Sequence, residues 1–353
     1  MPRIAAILSL LLALPLVAQQ PATPQPQFGE KVDVNLVLVD AVVTDATGHQ
    51  ILGLDKDDFI VTENGEPQKL ESLDYFTNRR LLTTQEGNAP FKAERVKEDR
   101  YFIFFFDKPE QGQMWDRLRL ARIGALHFVD DEMQPNDHVA VVAHDQRLKI
   151  FSDFTNDRKQ LHKALDDVIL YGLGLKKTAD APPNSILGAI DGKAMINKTG
   201  TVYEGLNVLA DALRPIKARK NLILFSPGIA GPDEDYRDGI IFNRSRYYDP
   251  MIHALNAANV TVYALNLHEN APALPLYHQA LDSITMDTNG EYYRFNVSFI
   301  NGIRKVDQTN SGYYLLSYRS NHPEGTKGYQ KVQVALKNPE FKVKAREGYS
   351  YGE

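Results

Sequence analysis

Hydrophobic and polar positions change rhythm twice along this 353-residue chain. In KVDVNLVLVDAVVTDATGHQ (31–50) they alternate: Val32, Val34, Leu36 and Leu38 share one face, while Asp33 and Asn35 fall on the other. A period of two predicts a strand, and Thr47–Gly48 predicts a turn after it. FIVTENGEPQKLESLDYF (59–76) follows, with Asn64–Gly65 supplying the positive φ angles that a tight hairpin turn demands. Residues 31–78 therefore read as a small antiparallel unit, and the polar, unpatterned 79–99 as a linker.

From residue 100 apolar strands alternate with amphipathic helices. YFIFFFD (101–107) is a strand, and MWDRLRLARIGALHFVDDEM (114–133) places Leu118, Ala121, Ala125, Phe128 and Val129 at helical spacing. HVAVVAH (138–144) and LKIFSDF (148–154) are strands, and DRKQLHKALDDVI is a helix with Asn156 as its expected N-cap. TVYEGLNVLADAL (201–213) leads into NLILFSP (221–227), and RYYDPMIHALNAAN into VTVYALN (260–266). LYHQALDSITMDTNG is a helix that stops at Gly290, before the short strand EYYRF. Such β–α repetition predicts a mostly parallel sheet covered on both faces. Residues 170–200 form the longest unpatterned loop of this part, and such loops are usually functional or disordered.

From Gly312 the earlier rhythm returns. GYYLLSYRS, KGYQKVQVALKN and FKVKAREGYS read as strands joined by turns such as Asn338–Pro339, expected to pair with the early strands. The predicted fold class is α/β: a doubly wound, mostly parallel sheet spanning 100–311, inserted into a small antiparallel β unit made of 31–78 and 312–353.

Composition sharpens this picture. MPRIAAILSLLLALPLVAQ (1–19) has an early cation, an apolar run and small residues near its end, and is expected to be a cleaved secretory signal. The Pro- and Gln-rich 20–30 reads as an extended tether, and no later stretch is long and apolar enough to span a bilayer. Secretion or a periplasmic location is the expectation. With no cysteine, disulfides, thiolate metal sites and cysteine nucleophiles are excluded. A net charge of −5 gives no basic field to attract nucleic acid. The one basic cluster, Lys217–Arg219–Lys220, is expected at a helix C-terminus, where cations are favoured.

Three stretches together carry a family resemblance. VDVNLVLVDAVVTDATGHQILGLDKDDFIVTENGEPQ has a strand, a Gly-containing turn, Gly-Leu, Asp-Phe and a second strand. DHVAVVAHDQRLKIFSDFTNDRKQLHKAL supplies two strands and a helix, and YYLLSYRSN through KVKAREGYS the closing strands. Over residues 31–351 the chain resembles the VWFA-related domain family of acidobacterial secreted proteins, relatives of the von Willebrand factor type A domain. The resemblance implies a ligand site at the C-terminal edge of the sheet, where open α/β sheets generally bind. It also implies a metal-ion-dependent adhesion site: Asp-x-Ser-x-Ser after the first strand, Thr on a second loop and Asp on a third, offering Mg²⁺ hard oxygens.

Here that pattern is broken. Asp107 keeps the first position, but Pro109 and Gln111 replace the two serines; Gly200–Thr201 fits the second loop; in FSPG, Pro227 follows Ser226 where the family has Asp. The candidate ligand-site residues are therefore Asp107, Gln111, Thr201, Ser226 and Asp233, the last in the acidic run Asp233–Glu234–Asp235 that could fold back over the site. No resident metal or cofactor is expected; should a weak Mg²⁺ site exist, Asp107 and Thr201 would hold it. Alternatively, Asp107 is structural, accepting N–H bonds from the next turn or from the helix start at Thr201, and Thr201 is a helix N-cap.

No catalytic set emerges. GAIDGKA (188–194) lacks the spacing and the Ser/Thr of a phosphate loop, YGLGL lacks a third glycine, and neither G-x-S-x-G nor H-E-x-x-H occurs. His127, His138 and His144 have no metal-ligand spacing, and the pairs Tyr247–Tyr248, Tyr292–Tyr293 and Tyr313–Tyr314 each suggest one ring in the core. The expectation is a non-enzymatic, adhesion-type protein-interaction module with an unidentified protein partner. The alternatives are an envelope scaffold docking through its β unit, and a hydrolase using Asp107.

Overall fold

The computed structural model describes residues 36–46, 49–77, 99–108, 114–170, 173–176, 181–182, 184–229, 247–268, 275–294, 298–320, 322 and 326–351. The predicted signal, the tether, the Thr47–Gly48 turn and nearly all of the linker lie outside them. Among the described residues no helix is long and apolar enough to cross a membrane.

Strand β5 (Arg100–Asp107) is buried along its whole length and shows why an apolar run needs no alternation at the centre of a sheet. Its successive side chains enter two different cores. Phe102, Phe104 and Phe106 join the core that includes Leu118, Leu161 and Ile303, while Ile103 and Phe105 join the one that includes Leu206, Leu255 and Leu281. Around it stand β6 (Asp137–His144), β7 (Leu148–Thr155), β8 (Lys220–Ser226), β9 (Val260–Asn266) and β10 (Glu291–Tyr293). Their order is β10-β9-β8-β5-β6-β7, parallel throughout except for the β6–β7 pair.

Helices α1 (Trp115–His127), α2 (Arg158–Val168) and α8 (Phe299–Thr309) cover one face. On the other lie α3 (Ile186–Ala189), α5 (Val202–Leu213), α6 (Tyr248–Ala257) and α7 (Pro275–Asp287), with α4 (Gly192–Asn197) beside them. At Gly290 a Cβ would stand 1.7 Å from the carbonyl oxygen of Val262, so only glycine lets the chain leave α7 this close to β9.

The remaining strands form two antiparallel sheets. β1 (Leu36–Thr44) and β4 (Leu70–Thr77) flank β11 (Gly312–Arg319), with β13 (Lys342–Ala345) on the outer side of β1. β2 (Phe59–Glu63) joins β3 (Glu66–Gln68) through Asn64 and Gly65 at φ 50° and 86°, the hairpin turn expected there. β2 also pairs with β12 (Gly328–Leu336), whose other neighbour is β14 (Gly348–Tyr351). The two sheets share one core of Val39, Ala41, Phe59, Val61, Leu316, Tyr318 and Val332.

Five sequence expectations are corrected. In β1 it is Val37, Val39, Ala41 and Val43 that face this core, while Leu36 and Leu38 are 47% and 46% exposed; the even face is claimed by Asp40, which accepts from Asn259 Nδ2 at 2.8 Å. FKVKAREGYS is two strands in different sheets, separated at Arg346–Glu347. The N-cap of α2 is Asp157, not Asn156, because its Oδ1 accepts from the backbone of Lys159 at 2.9 Å and of Gln160 at 3.4 Å. The stretch 170–200 contains α3 and α4, the former held by Asp153, which accepts from Ser185 Oγ at 2.5 Å and from the backbone of Ile186 and Leu187 at 2.9 and 3.0 Å. Lys220 does not decorate a helix end: it opens β8 with no exposed surface.

Candidate functional site

Four adjacent parallel strands end on polar residues. β9 ends on Asn266, β8 on Ser226, β5 on Asp107 and β6 on His144. Register places Ser226 opposite Asn266 and Asp107 opposite His144, so the four form a row across the C-terminal edge. All are buried: Asn266 and Ser226 have no exposed surface, and Asp107 and His144 have 6% each. Polar side chains withdrawn from water need internal partners, and each has one.

Ser226 Oγ donates to Asp107 Oδ2 at 2.6 Å and accepts from the Gly228 N–H at 3.0 Å. Asn266 Nδ2 donates to the Arg294 carbonyl at 3.0 Å, and its Oδ1 accepts from the His268 N–H at 3.0 Å. His144 Nε2 lies 2.9 Å from the Thr199 carbonyl; a carbonyl only accepts, so Nε2 carries the proton. Burial lowers the pKa of His144 below the ordinary imidazole value, opposed by its bond to the Thr199 carbonyl. A Cβ on Gly205 would meet His144 Cδ2 at 3.2 Å, which fixes how closely α5 approaches β6.

Thr201 is the N-cap of α5. Its Oγ1 accepts from the Glu204 N–H at 3.2 Å and donates to Glu204 Oε2 at 3.1 Å, and Oε2 also accepts from the Thr201 N–H at 3.0 Å. The hydroxyl that a weak Mg²⁺ site would have used is thus engaged in a reciprocal capping box, the N-cap role that the sequence offered as the alternative. Gln111 and Asp233, with Pro109, Glu110 and the rest of the acidic run, lie outside the described residues. Among the described residues no group of three His, Asp or Glu side chains is placed to hold a metal ion.

Lys108, next along from Asp107, was invisible to motif reading. Its Nζ donates to Asp145 Oδ2 at 3.0 Å and to the Leu170 carbonyl at 2.8 Å, and stands 5.3 Å from the centre of the Phe151 ring. Burial lowers its pKa, opposed by Asp145. The only sequence signal was a charged residue prolonging a buried strand. His127, His138 and His144 do not converge: they meet Asp131, Asp99 and the Thr199 carbonyl respectively. Of the tyrosine pairs, Tyr248 and Tyr314 are buried, as core rings should be.

No protein-family model matches the chain, and no curated protein matches it. Solved structures do. The human COPII-coat protein Sec24c is 11% identical over 71% of this chain, with a TM-score of 0.41; the chain spans 44% of that protein's length. The vWF domain of the type V pili tip protein Mfa5 from Porphyromonas gingivalis is 13% identical, covering 60% of this chain and 96% of its own, with a TM-score of 0.40. An aerotolerance-related membrane protein from Bacteroides fragilis is 13% identical over 60% of this chain and 98% of its own, with a TM-score of 0.39.

Proposed function

We propose that the chain is a non-enzymatic, secreted or periplasmic protein-interaction module. It presents its α/β part as an insertion in the β sandwich and recognises a partner protein through the C-terminal edge of the parallel sheet without a divalent cation. The observation that carries this reading is the pairing of Ser226 with Asp107 at 2.6 Å. One oxygen of the carboxylate that would anchor a cation, Oδ2, accepts instead from a neighbouring strand end, which ties β5 to β8 beneath the loops.

The donor set fits Mg²⁺ poorly. Near-octahedral Mg²⁺ wants several hard oxygens from its surroundings. Pro109 supplies no side-chain oxygen, and the Thr201 hydroxyl is turned into its own helix cap. Water would have to fill most of the shell, and no step of recognition is assigned to a metal.

Two measurements test the reading. A cation that binds only the folded state stabilises it by mass action. Thermal melting in Mg²⁺, Mn²⁺ or EDTA is expected to agree within about 1 °C; a rise of several degrees that Asp107→Ala abolishes would overturn the metal-free reading. Crosslinking in native envelope extracts tests the surface: substitutions in 107–113, 170–200 and 227–243 should abolish crosslinks to the partner. If crosslinks survive them but vanish on substitution in the sandwich, the partner docks through the β unit instead.

A further inference from the structure

At the same edge, beyond Asn266, lie three side chains that the row of strand ends does not include. His278, on α7, is 2% exposed. Its Nδ1 is 2.5 Å from the hydroxyl of Tyr292 on β10, and its Nε2 is buried with no hydrogen-bond partner among the described residues. His268, just past the end of β9, meets it nearly perpendicularly, with ring centres 6.2 Å apart at 73°. The backbone of Pro227, the residue after Ser226, faces the His268 ring and favours a proton on it. The backbone N–H of His268 is held by Asn266, and the Leu267 N–H donates to the Ser226 carbonyl at 3.0 Å. α7 thus meets the end of β9 through this pair of rings, and the turn after β8 meets it beside His268 through the Leu267–Ser226 bond.

The surroundings are set against a proton. From beyond β10 comes Arg294, and from beyond β9 His268, and both oppose a positive charge on His278. Tyr292, on β10, offers a neutral hydroxyl; Asp282, on α7 itself, acts on Tyr292. Protonated, His278 carries an N–H on both ring nitrogens, and the one on Nε2 has no acceptor among the described residues, in a site withdrawn from water that faces the Arg294 guanidinium and the His268 ring. Opening hydrates that nitrogen and separates the charges.

We propose that the His268–His278 pair is a proton-operated latch: with both rings neutral, α7 and the Ser226–Pro227 turn are held to the end of β9, and acidification releases them. This rests on the reading of that edge as the recognition surface, because release would reshape it. The direction follows from linkage. Burial places the imidazole pKa of both residues below the ordinary value of 6.5, so the opened form takes the proton more readily and falling pH favours opening.

Hydrogen exchange of the full chain at pH 7.5 and 5.0, corrected for intrinsic rates, tests this without any partner. Protection in 278–288 and at Gly228 and Ile229 should fall about tenfold for each pH unit between the opened and closed imidazole pKa values, while β5 and β6 stay protected. The double variant His268→Gln/His278→Gln, neutral at both sites, should lose that dependence. Equal protection at both pH values, or a loss that persists in the double variant, overturns the latch. Should the variant fail to fold, an NMR titration of the wild-type imidazoles decides: His278 titrating at or above 6.5 overturns the proposal, and below it supports it. An edge that binds no partner can still show the latch, and a binding edge can lack it, so the two readings fail separately.

Discussion

Ser226 and Asp107, 119 positions apart in sequence, meet at 2.6 Å where β8 and β5 end side by side. Neither residue is solvated: Ser226 has no exposed surface and Asp107 has 6%. Removing the hydroxyl leaves a buried carboxylate short of a donor, and hydrogen bonds to charged groups contribute about 1.5–3 kcal/mol. Ser226→Ala is therefore expected to lower unfolding free energy by about that much in urea titrations, with an unchanged slope. A loss below about 0.5 kcal/mol would mean that the pair contributes little to the rigidity of the edge.

At the opposite end of the same sheet, Arg100 binds Asp137 through two parallel bonds of 2.6 Å and reaches Asp307 at 2.7 Å. Asp137 is fully buried and also accepts from the Gln134 N–H at 2.7 Å. Taking the cation out leaves two carboxylates facing each other in a poorly solvated site. Arg100→Met should cost about 3–5 kcal/mol, the usual penalty for breaking a buried ion pair from one side. Chemical denaturation would show it, and the double variant Arg100→Met/Asp137→Asn should recover part of the loss.

The alternation of strands and helices between residues 100 and 309 was legible because each element carries its own period. Phe102, Phe104 and Phe106 against Ile103 and Phe105 read as a strand buried on both sides, and the structure places them so. The N-cap role of Thr201 was equally readable, since Thr201 and Glu204 stand three apart before an apolar run. Long-range pairing was the obscure part. Nothing local in FKVKAREGYS marks Arg346–Glu347 as the place where the chain changes sheets. Nothing near Leu36 reveals that Asp40 must turn toward Asn259, 219 positions away, and that the even positions therefore face away from the sandwich core. The partners of Asp107 belong to the same class: its prolonged apolar strand predicted an end, but not which neighbouring strand would supply the hydroxyl.

In the sandwich, the carboxylate of Glu63 gathers three hydroxyls: Tyr318 at 2.7 Å, Ser320 at 2.5 Å and Tyr349 at 2.9 Å. Glu63 is 5% exposed, so these bonds stand in for its hydration. Tyr318→Phe keeps the ring and deletes one donor, and is expected to cost about 1–3 kcal/mol. Glu63→Ala should cost more, because three buried hydroxyls are left without their common acceptor. If Glu63→Ala matched Tyr318→Phe in a denaturant titration, the cluster would not be acting as a unit.

Lys220 gives the fold a pH dependence of definite sign. Its side chain has no exposed surface, and its Nζ is capped by the carbonyls of Ile216 and Ala218. Burial pulls its pKa down to about 7 from the ordinary 10.5, with Asp40 resisting and Lys217 and Arg346 assisting. The unfolded chain therefore holds this proton more tightly than the folded one between pH 7 and 10.5. Stability contributed at this site is lowest below about pH 7, where both states are protonated, and rises as pH climbs toward 10.5. The gain should reach about 2–4 kcal/mol between pH 7 and 10. Melting temperatures of the wild type and of Lys220→Met, measured side by side across that range, check it: the wild type should climb relative to the variant. Parallel curves would mean that Lys220 keeps its proton in the folded chain, with the ammonium satisfied by Ile216, Ala218 and the field of Asp40.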